Sequence, residues 1–165
     1  MRIFESLKKQ NKMTFSDTDI ISPVGGKMIS PLEISDITFR DQLIGQTVGF
    51  IPKQDVISCP VNGVINFVFP TLHAFGIRAN TGVNYLVHIG INTVSMKGQG
   101  FKTFIKKGDI VRAGQKAIQV NWGAVKKAGC EDTVVLIVTE KPRDYPEINY
   151  IPYGKVESLQ RINVS

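Results

Sequence analysis

Short apolar runs alternate with turn residues along most of the chain. The runs are rich in Val, Ile, Phe and Tyr, and Gly, Pro, Asn and Asp separate them, as in β-strands joined by tight turns. No alternation of strands with long helices is visible. We therefore predict an all-β fold, a compact antiparallel β-sandwich or barrel-like single domain with short helical turns. The predicted strands are 47–51, 63–69, 75–79, 83–89, 110–111, 115–120, 133–138 and 161–164, with turns including 24–27 and 80–82 and helical pieces at 38–44 and 122–128.

Length and composition fit one folded domain. The chain has 165 residues, of which 42% are hydrophobic, and its longest apolar runs have the length of strands. The amino terminus lacks the apolar centre and small-residue cleavage site of a secretory signal, so we expect a cytoplasmic protein. We assign residues 1–18 to an amino-terminal tail and residues 19–165 to the domain. Cys59 and Cys130 lie outside any CxxC pair, which disfavours a zinc framework or a disulfide.

The net charge of +6 changes this picture little. The basic residues are dispersed in pairs rather than gathered in one run interleaved with aromatic residues. No zinc-finger or RNA-binding motif accompanies them. We therefore expect no nucleic-acid partner.

Both histidines of the chain fall in one predicted hairpin. Alternation along 83–89 places His88 on the same strand face as Leu86. With a two-residue loop at 80–81, His73 would stand directly opposite His88, and Phe75 opposite Leu86. The two rings would then touch within an apolar collar. A three-residue loop ending at Gly82 would shift the register by one and send the rings to different faces.

A histidine pair in apolar surroundings favours one kind of chemistry. Burial and a neighbouring imidazole both disfavour imidazolium, so each ring keeps a free nitrogen that can act as a nucleophile. Such a nitrogen can accept a phosphoryl group while the second ring donates a hydrogen bond to the phosphoryl oxygens. The alternative from spacing alone is that both histidines are ordinary structural residues.

The residues around the histidines resemble a known family. The run carries Thr71-x-His73-Ala-Phe, then Val-His88-x-Gly-Ile-x-Thr-Val94, then Lys97-Gly-x-Gly-Phe101 and Gly108-Asp109. Together with the stretches SPVGGKMISPLEISDITF and ISCPVNGVINFVFPT, it resembles the enzyme IIA component, glucose family, of the phosphoenolpyruvate-dependent sugar phosphotransferase system. The resemblance covers residues 20–120 strongly and the remainder loosely.

The resemblance implies a phosphoryl carrier with no permanent cofactor. His88 would be phosphorylated on Nε2 by a histidine phosphocarrier protein and would pass the group to a cysteine of the IIB domain of a sugar permease. His73 would support the transfer, and Thr71 would orient His73 by a hydrogen bond. The resemblance also implies an apolar rim that both partners touch, formed by Phe39, Phe69, Leu86 and Val94. Asp36 would supply a carboxylate on that rim.

One departure and two other functions are also consistent with the sequence. Asn92 stands where the family commonly has Asp, which removes a negative charge that would face a basic donor. A zinc enzyme is one alternative, with His73, His88 and a third ligand such as Asp36 or Cys59. In the family the two histidines can also share zinc transiently with a carboxylate of a bound target. The other alternative is a regulator that binds transporters or metabolic enzymes and uses phosphorylation only as a switch.

The amino-terminal tail generates a first prediction. Met1, Ile3, Phe4 and Leu7 could form an apolar stripe on a short helix, beside Lys8, Lys9 and Lys12, a pattern suited to an anionic membrane surface. The alternative is a frayed tail, because so short a segment is marginally helical in water. Deleting residues 1–12 should therefore weaken sedimentation of the protein with anionic vesicles. Unchanged sedimentation would remove the peripheral membrane contact of the tail.

Overall fold

The computed structural model describes residues 14–164, so residues 1–13 of the predicted tail, which include its whole apolar stripe, lie outside the described residues. Within residues 14–164 every strand pair is antiparallel, in agreement with the predicted fold class. The described strands are β1 (Gly26–Ile29), β2 (Gln46–Pro52), β3 (Val56–Ser58), β4 (Gly63–Val68), β5 (Ala74–Ala79), β6 (Asn84–Ile91), β7 (Phe101–Thr103), β8 (Ile110–Val111), β9 (Lys116–Val120), β10 (Glu131–Glu140) and β11 (Gly154–Val156).

Helical structure is short in the described part of the chain. The α-helices are α1 (Ile37–Arg40) and α2 (Trp122–Lys127), and 3-10 turns cover Pro31–Glu33 and Thr93–Met96. Asp36 caps α1 and Asn121 caps α2, each through a side-chain oxygen that accepts a backbone N–H of the first turn. Within residues 14–164 no helix has both the length and the apolar character needed to cross a lipid bilayer.

The strands form a large and a small sheet. The large sheet has the order β11-β1-β2-β10-β6-β5-β4-β8, and the small sheet has the order β3-β9-β7. Side chains from both sheets share the main buried core, including Phe50, Phe75, Val87, Ile57 and Ile118. The two sheets therefore enclose one core, as a sandwich does.

A second, smaller core lies on the other face of the large sheet. It joins Val135 and Ile137 of β10 to Phe39 of α1, with Ile29, Ile34 and Ile91 around them. Strand β10 is thus buried on both faces, which explains the unbroken apolar run Val134–Val138. The functional candidates lie beside this second core.

Three local expectations are wrong. Gly26 and Lys27 belong to β1 rather than to a turn, because their backbone pairs with both β2 and β11. Residues 161–164 form isolated bridges at Arg161 and Asn163 rather than a continuous strand. The β5–β6 hairpin has a three-residue connection, with the Ala79 N–H donating to the Val83 carbonyl at 2.8 Å. Gly82, with φ +91°, supplies the left-handed residue that ends this longer loop.

Candidate functional site

His88 lies on the outward face of a central strand. Its neighbours across the ladders are Ala74 of β5 and Val135 of β10. The burial of β6 alternates from Asn84 to Ile89, and Leu86 and His88 share the face that looks away from the main core, as the sequence predicts. Neighbouring strands on both sides therefore fix the direction of the His88 side chain.

The predicted register of the histidine hairpin is wrong by one residue. His88 stands opposite Ala74, and Phe75 stands opposite Val87 in the main core rather than beside Leu86. Phe75 is thus no part of an apolar collar around the histidines. The cause is the three-residue connection through Gly82.

The two rings nevertheless meet, because His73 lies just before β5. The preceding Leu72 has φ +59°, so the alternation of the strand does not extend to His73. The His73 carbonyl still accepts the Ile89 N–H at 2.7 Å, which holds this residue against β6. The His73 and His88 ring centroids are 5.1 Å apart and the ring planes make an angle of 80°.

Each histidine has one ring nitrogen tied to the protein. His88 Nδ1 donates to the Gly90 carbonyl at 2.8 Å, so in the neutral ring its Nε2 carries a free lone pair. His73 Nδ1 is 2.7 Å from the Thr71 hydroxyl. Thr71 therefore lies where it can orient His73, the contact that the family resemblance implies.

Aromatic rings surround the pair. Phe39 lies against His88 with centroids 4.8 Å apart, and Phe69 stacks on His73 at 5.2 Å with an interplanar angle of 10°. Phe67 in turn packs on Phe69 at 5.2 Å. The collar of the histidines is thus built from Phe39 of α1 and from Phe69, which lies in the connection from β4 to β5 just before His73.

Burial keeps both histidines neutral. His73 is only 7% exposed, and burial lowers its pKa. Burial is also the main cause that lowers the pKa of His88 to about 4, and the neighbouring His73 lowers it further. The hydrogen bond to Gly90 and the carboxylate of Asp36 act in the opposite direction and are weaker. At neutral pH both imidazoles are uncharged, which leaves His88 Nε2 nucleophilic.

The other predicted rim residues differ in exposure. Phe69 and Val94 are 43% and 54% exposed, Leu86 is half-buried, and Phe39 is buried against the second core. The carboxylate of Asp36 accepts the Thr38 N–H at 2.8 Å, so this residue caps α1 as well as acting on His88. Partner binding by these residues stays a prediction.

His73 and His88 are the imidazoles that could ligate a metal at the site. Across residues 14–164 no group of three or more His, Cys, Asp and Glu side chains could hold a metal ion. Cys59, one of the third ligands considered, is fully buried in the main core. Zinc held by His73 and His88 would therefore need a further ligand from a bound partner.

Two residues that shape the site were not predicted from the sequence. Gly90 supplies the carbonyl for His88, and its φ of +78° explains why glycine stands there. Gly76 is the other, since a Cβ on it would lie 2.2 Å from the Phe67 ring. Each glycine left a signal in the sequence. Gly90 stands two residues after His88, and Gly76 stands in the middle of an apolar strand, where glycine often marks a close approach of other atoms.

The fold and the site define a small antiparallel β-sandwich that presents two neutral imidazoles in contact beside an apolar surface. Residues 18–143 match the family described as the phosphoenolpyruvate-dependent sugar phosphotransferase system, EIIA 1. The chain belongs to this family, which confirms the resemblance seen in the sequence and identifies it as a phosphotransferase component of sugar transport. The match extends past residue 120, where the resemblance was loose.

Two individual relatives agree with this assignment. The chain is 35% identical over 124 residues to a glucose-specific EIICBA component from Staphylococcus saprophyticus, an alignment that covers 75% of this chain and 18% of that protein. It is also similar to the structure of glucose permease IIA from Mycoplasma capricolum, with a TM-score of 0.79 and 29% identity. That similarity covers 88% of this chain and 93% of the other.

Gly90 should be essential to the geometry of His88. In Gly90→Ala the new Cβ would lie 2.5 Å from Thr93 Cγ2 and 2.8 Å from the Glu131 carbonyl, in a backbone conformation unfavourable to alanine. We expect a loss of about 2 kcal/mol in unfolding free energy, measured in urea, and a weakened Nδ1 hydrogen bond by nitrogen NMR.

Gly108→Ala is the matched control for that measurement. Gly108 has φ +93°, but a Cβ on it meets nothing within 4 Å. This variant should lose unfolding free energy only through its unfavourable backbone conformation, and the nitrogen NMR signal of His88 should stay unchanged. An unaltered His88 signal in Gly90→Ala would contradict the positioning role of Gly90.

The protonation of His88 can be measured directly. An NMR titration should place its midpoint near the pKa of about 4, below the ordinary 6.5. Because the folded state disfavours the proton, the stability linked to neutral His88 is complete above pH 6.5 and is lost as the pH falls from 6.5 towards 4. His88→Gln should remove this part of the acid sensitivity. A midpoint at or above 6.5 would show that burial does not dominate the pKa of His88.

Proposed function

We propose that His88 Nε2 accepts a phosphoryl group from the phosphohistidine of a carrier protein and passes it to a cysteine of a IIB domain during sugar uptake. The observation that carries the proposal is the bond from His88 Nδ1 to the Gly90 carbonyl, in a ring whose pKa is depressed. This bond leaves Nε2 as the free nucleophile. Membership in the enzyme IIA family supports the proposed reaction class.

The transfer balances without a further reactant. In the first step the bond from phosphorus to the donor histidine breaks while the bond to His88 Nε2 forms. The phosphorylated ring keeps its Nδ1 hydrogen, and the Gly90 carbonyl stabilises the positive charge that develops there. In the second step a IIB thiolate attacks phosphorus, and the electron pair of the broken bond returns to Nε2.

His73 has a supporting role in this proposal. When the Thr71 hydroxyl donates to His73 Nδ1, the Nε2 of His73 carries the hydrogen and can donate it to a phosphoryl oxygen on the adjacent ring. Stacking on Phe69 restrains the His73 ring. The donor is thus positioned before charge develops, which is how hydrogen bonds lower such barriers.

The proposed partners dock on the apolar surface around the pair. Phe69 exposes apolar area where it stacks on His73, Val94 is exposed as well, and Leu86 lies next to His88 on the same strand face. Excluding water there strengthens the hydrogen bonds to the phosphoryl group. The fused EIICBA relative supports a IIB domain of a glucose-family permease as the acceptor. A zinc ion, when present, would be shared between the two histidines and a partner carboxylate.

Reconstitution tests the acceptor assignment. The protein is incubated with phosphoenolpyruvate, enzyme I and the phosphocarrier, and the phosphorylated residue is identified by mass spectrometry under neutral conditions. Acid-labile phosphate should appear on His88, and His88→Ala should abolish it while binding of the carrier survives. Phosphate recovered on His73 in the unaltered protein would overturn the assignment.

Single-turnover transfer separates the two histidines. His73→Gln should still accept phosphate on His88 yet pass it slowly to the IIB cysteine, because an amide can donate a hydrogen bond but cannot change its charge. Thr71→Ala should show a milder defect, since losing one orienting hydrogen bond costs about 1 kcal/mol, or roughly fivefold in rate. Undiminished transfer from His73→Gln would remove the supporting role of His73.

A further inference from the structure

Nearly all the net charge of the chain comes from one short segment. Residues 97–116 contain six basic residues and one acidic residue, Asp109, which leaves fourteen basic and thirteen acidic residues for the other 145 positions. The segment thus carries five of the six net positive charges. Its basic residues, all exposed, are Lys97, Lys102, Lys106, Lys107, Arg112 and Lys116.

The fold gathers part of this segment around an exposed aromatic ring. Strand β7 pairs with β9, and just beyond it the Phe104 N–H donates to the Ala117 carbonyl at 2.8 Å. This pairing brings Lys102 and Lys116 to the Phe104 ring, with Nζ atoms 5.3 Å and 4.2 Å from its centroid. We call Lys102, Phe104 and Lys116 the basic face. The sequence did not predict this basic and aromatic cluster, because its two lysines are separated along the chain.

The basic face has no charge partner in the described part of the chain. Across residues 14–164 no carboxylate lies within 4.0 Å of the Lys102 or Lys116 ammonium groups, whereas the carboxylate of Asp109 accepts the backbone N–H of Lys106. Phe104 is 40% exposed between the lysines, and Ile110 of the same segment is 85% exposed. The segment therefore presents cations and large apolar side chains together.

We propose that the basic face binds the anionic surface of a lipid bilayer. Apolar side chains flanked by lysines suit the boundary of headgroups and acyl chains, where the ring enters and the ammonium groups reach the phosphates. Five of the six cations in the segment are lysines, which act as point charges, whereas nucleic acids and carboxylates favour the bidentate arginine fork. The composition thus favours a diffuse anionic surface over a nucleic acid or an acidic protein.

The benefit that lipid binding would bring to the protein rests on the proposed function. A domain that exchanges phosphate with a membrane permease gains effective concentration by staying near the bilayer. Lys102 and Lys116 of the basic face lie on β7 and β9 of the small sheet, and Phe104 directly follows β7, whereas His88 lies on the large sheet. Lipid and the phosphoryl partners would therefore use different residues.

Sedimentation of the full chain with vesicles tests the proposal. Vesicles of phosphatidylcholine mixed with phosphatidylglycerol should bind the protein, and vesicles of phosphatidylcholine alone should bind it weakly. Lys102→Gln with Lys116→Gln should lower the partition coefficient roughly 30-fold, and Phe104→Ser roughly tenfold. The matched control is Lys27→Gln with Lys53→Gln, two exposed lysines outside the segment, and it should retain the unaltered partition coefficient.

The outcomes separate this proposal from its competitors. An equal loss in the control pair would show non-specific attraction by net charge and overturn the proposal. Unchanged binding in Lys102→Gln with Lys116→Gln, together with loss on deleting residues 1–12, would assign all lipid binding to the tail and also overturn it. Tighter binding to a short DNA duplex than to the vesicles, lost in the same double variant, would assign the basic face to nucleic acid.

Phosphorylation provides an independent readout. Circular dichroism should show that Lys102→Gln with Lys116→Gln is folded. This variant should also accept phosphate on His88 in solution at the same rate as the unaltered protein. If the unaltered protein fails to accept phosphate on His88 while the variant loses vesicle binding, the proposed function fails and the lipid proposal stands. If phosphorylation proceeds and the vesicles bind both proteins equally, the lipid proposal alone fails.

Discussion

The hydrogen bond from His88 Nδ1 to the Gly90 carbonyl is the constraint on which the site depends. It decides which nitrogen of the ring is free, and it requires the backbone to turn at Gly90, within β6, where the pairing with β10 shifts register. Gly90 makes that turn possible with φ +78°. Asn92, at φ +65°, continues the departure from extended backbone into the 3-10 turn. The local backbone and the tautomer of the nucleophile are therefore set together.

The rest of the sandwich holds this arrangement rigid. Strand β6 lies between β5 and β10, so His88 projects from a strand that is paired on both sides. Both faces of β10 are buried, by the main core and by the second core that contains Phe39. A side chain on such a strand has little freedom to move, which suits the proposed role of His88 in meeting two different partners in the same geometry.

Sequence reasoning recovered what depends on local periodicity. The alternation along 83–89 correctly predicted that Leu86 and His88 share the outward face, and the turn residues correctly marked the ends of most strands. It failed for the register, because one residue more in the 80–82 loop is compatible with the same composition. It also failed for Phe75, which was expected in the collar and lies in the main core. Phe39 and Phe69 were expected near the histidines only from the family resemblance, because the approach of α1 to β6 depends on tertiary packing. The prediction that the rings touch survived the wrong register only because His73 lies outside the strand.

The chemistry of the site also explains why its charge is kept low. In the proposed transfer, a cation near His88 would attract the phosphoryl group and hinder its release, whereas a neutral imidazole pair would hold the group less strongly. Burial lowers the pKa of both rings, and the opposing effect of Asp36 on His88 is smaller. The positive charge of the chain is instead concentrated in residues 97–116. The cations of that segment would not convert His88 to imidazolium, because a nearby positive charge disfavours the protonated ring and lowers its pKa further.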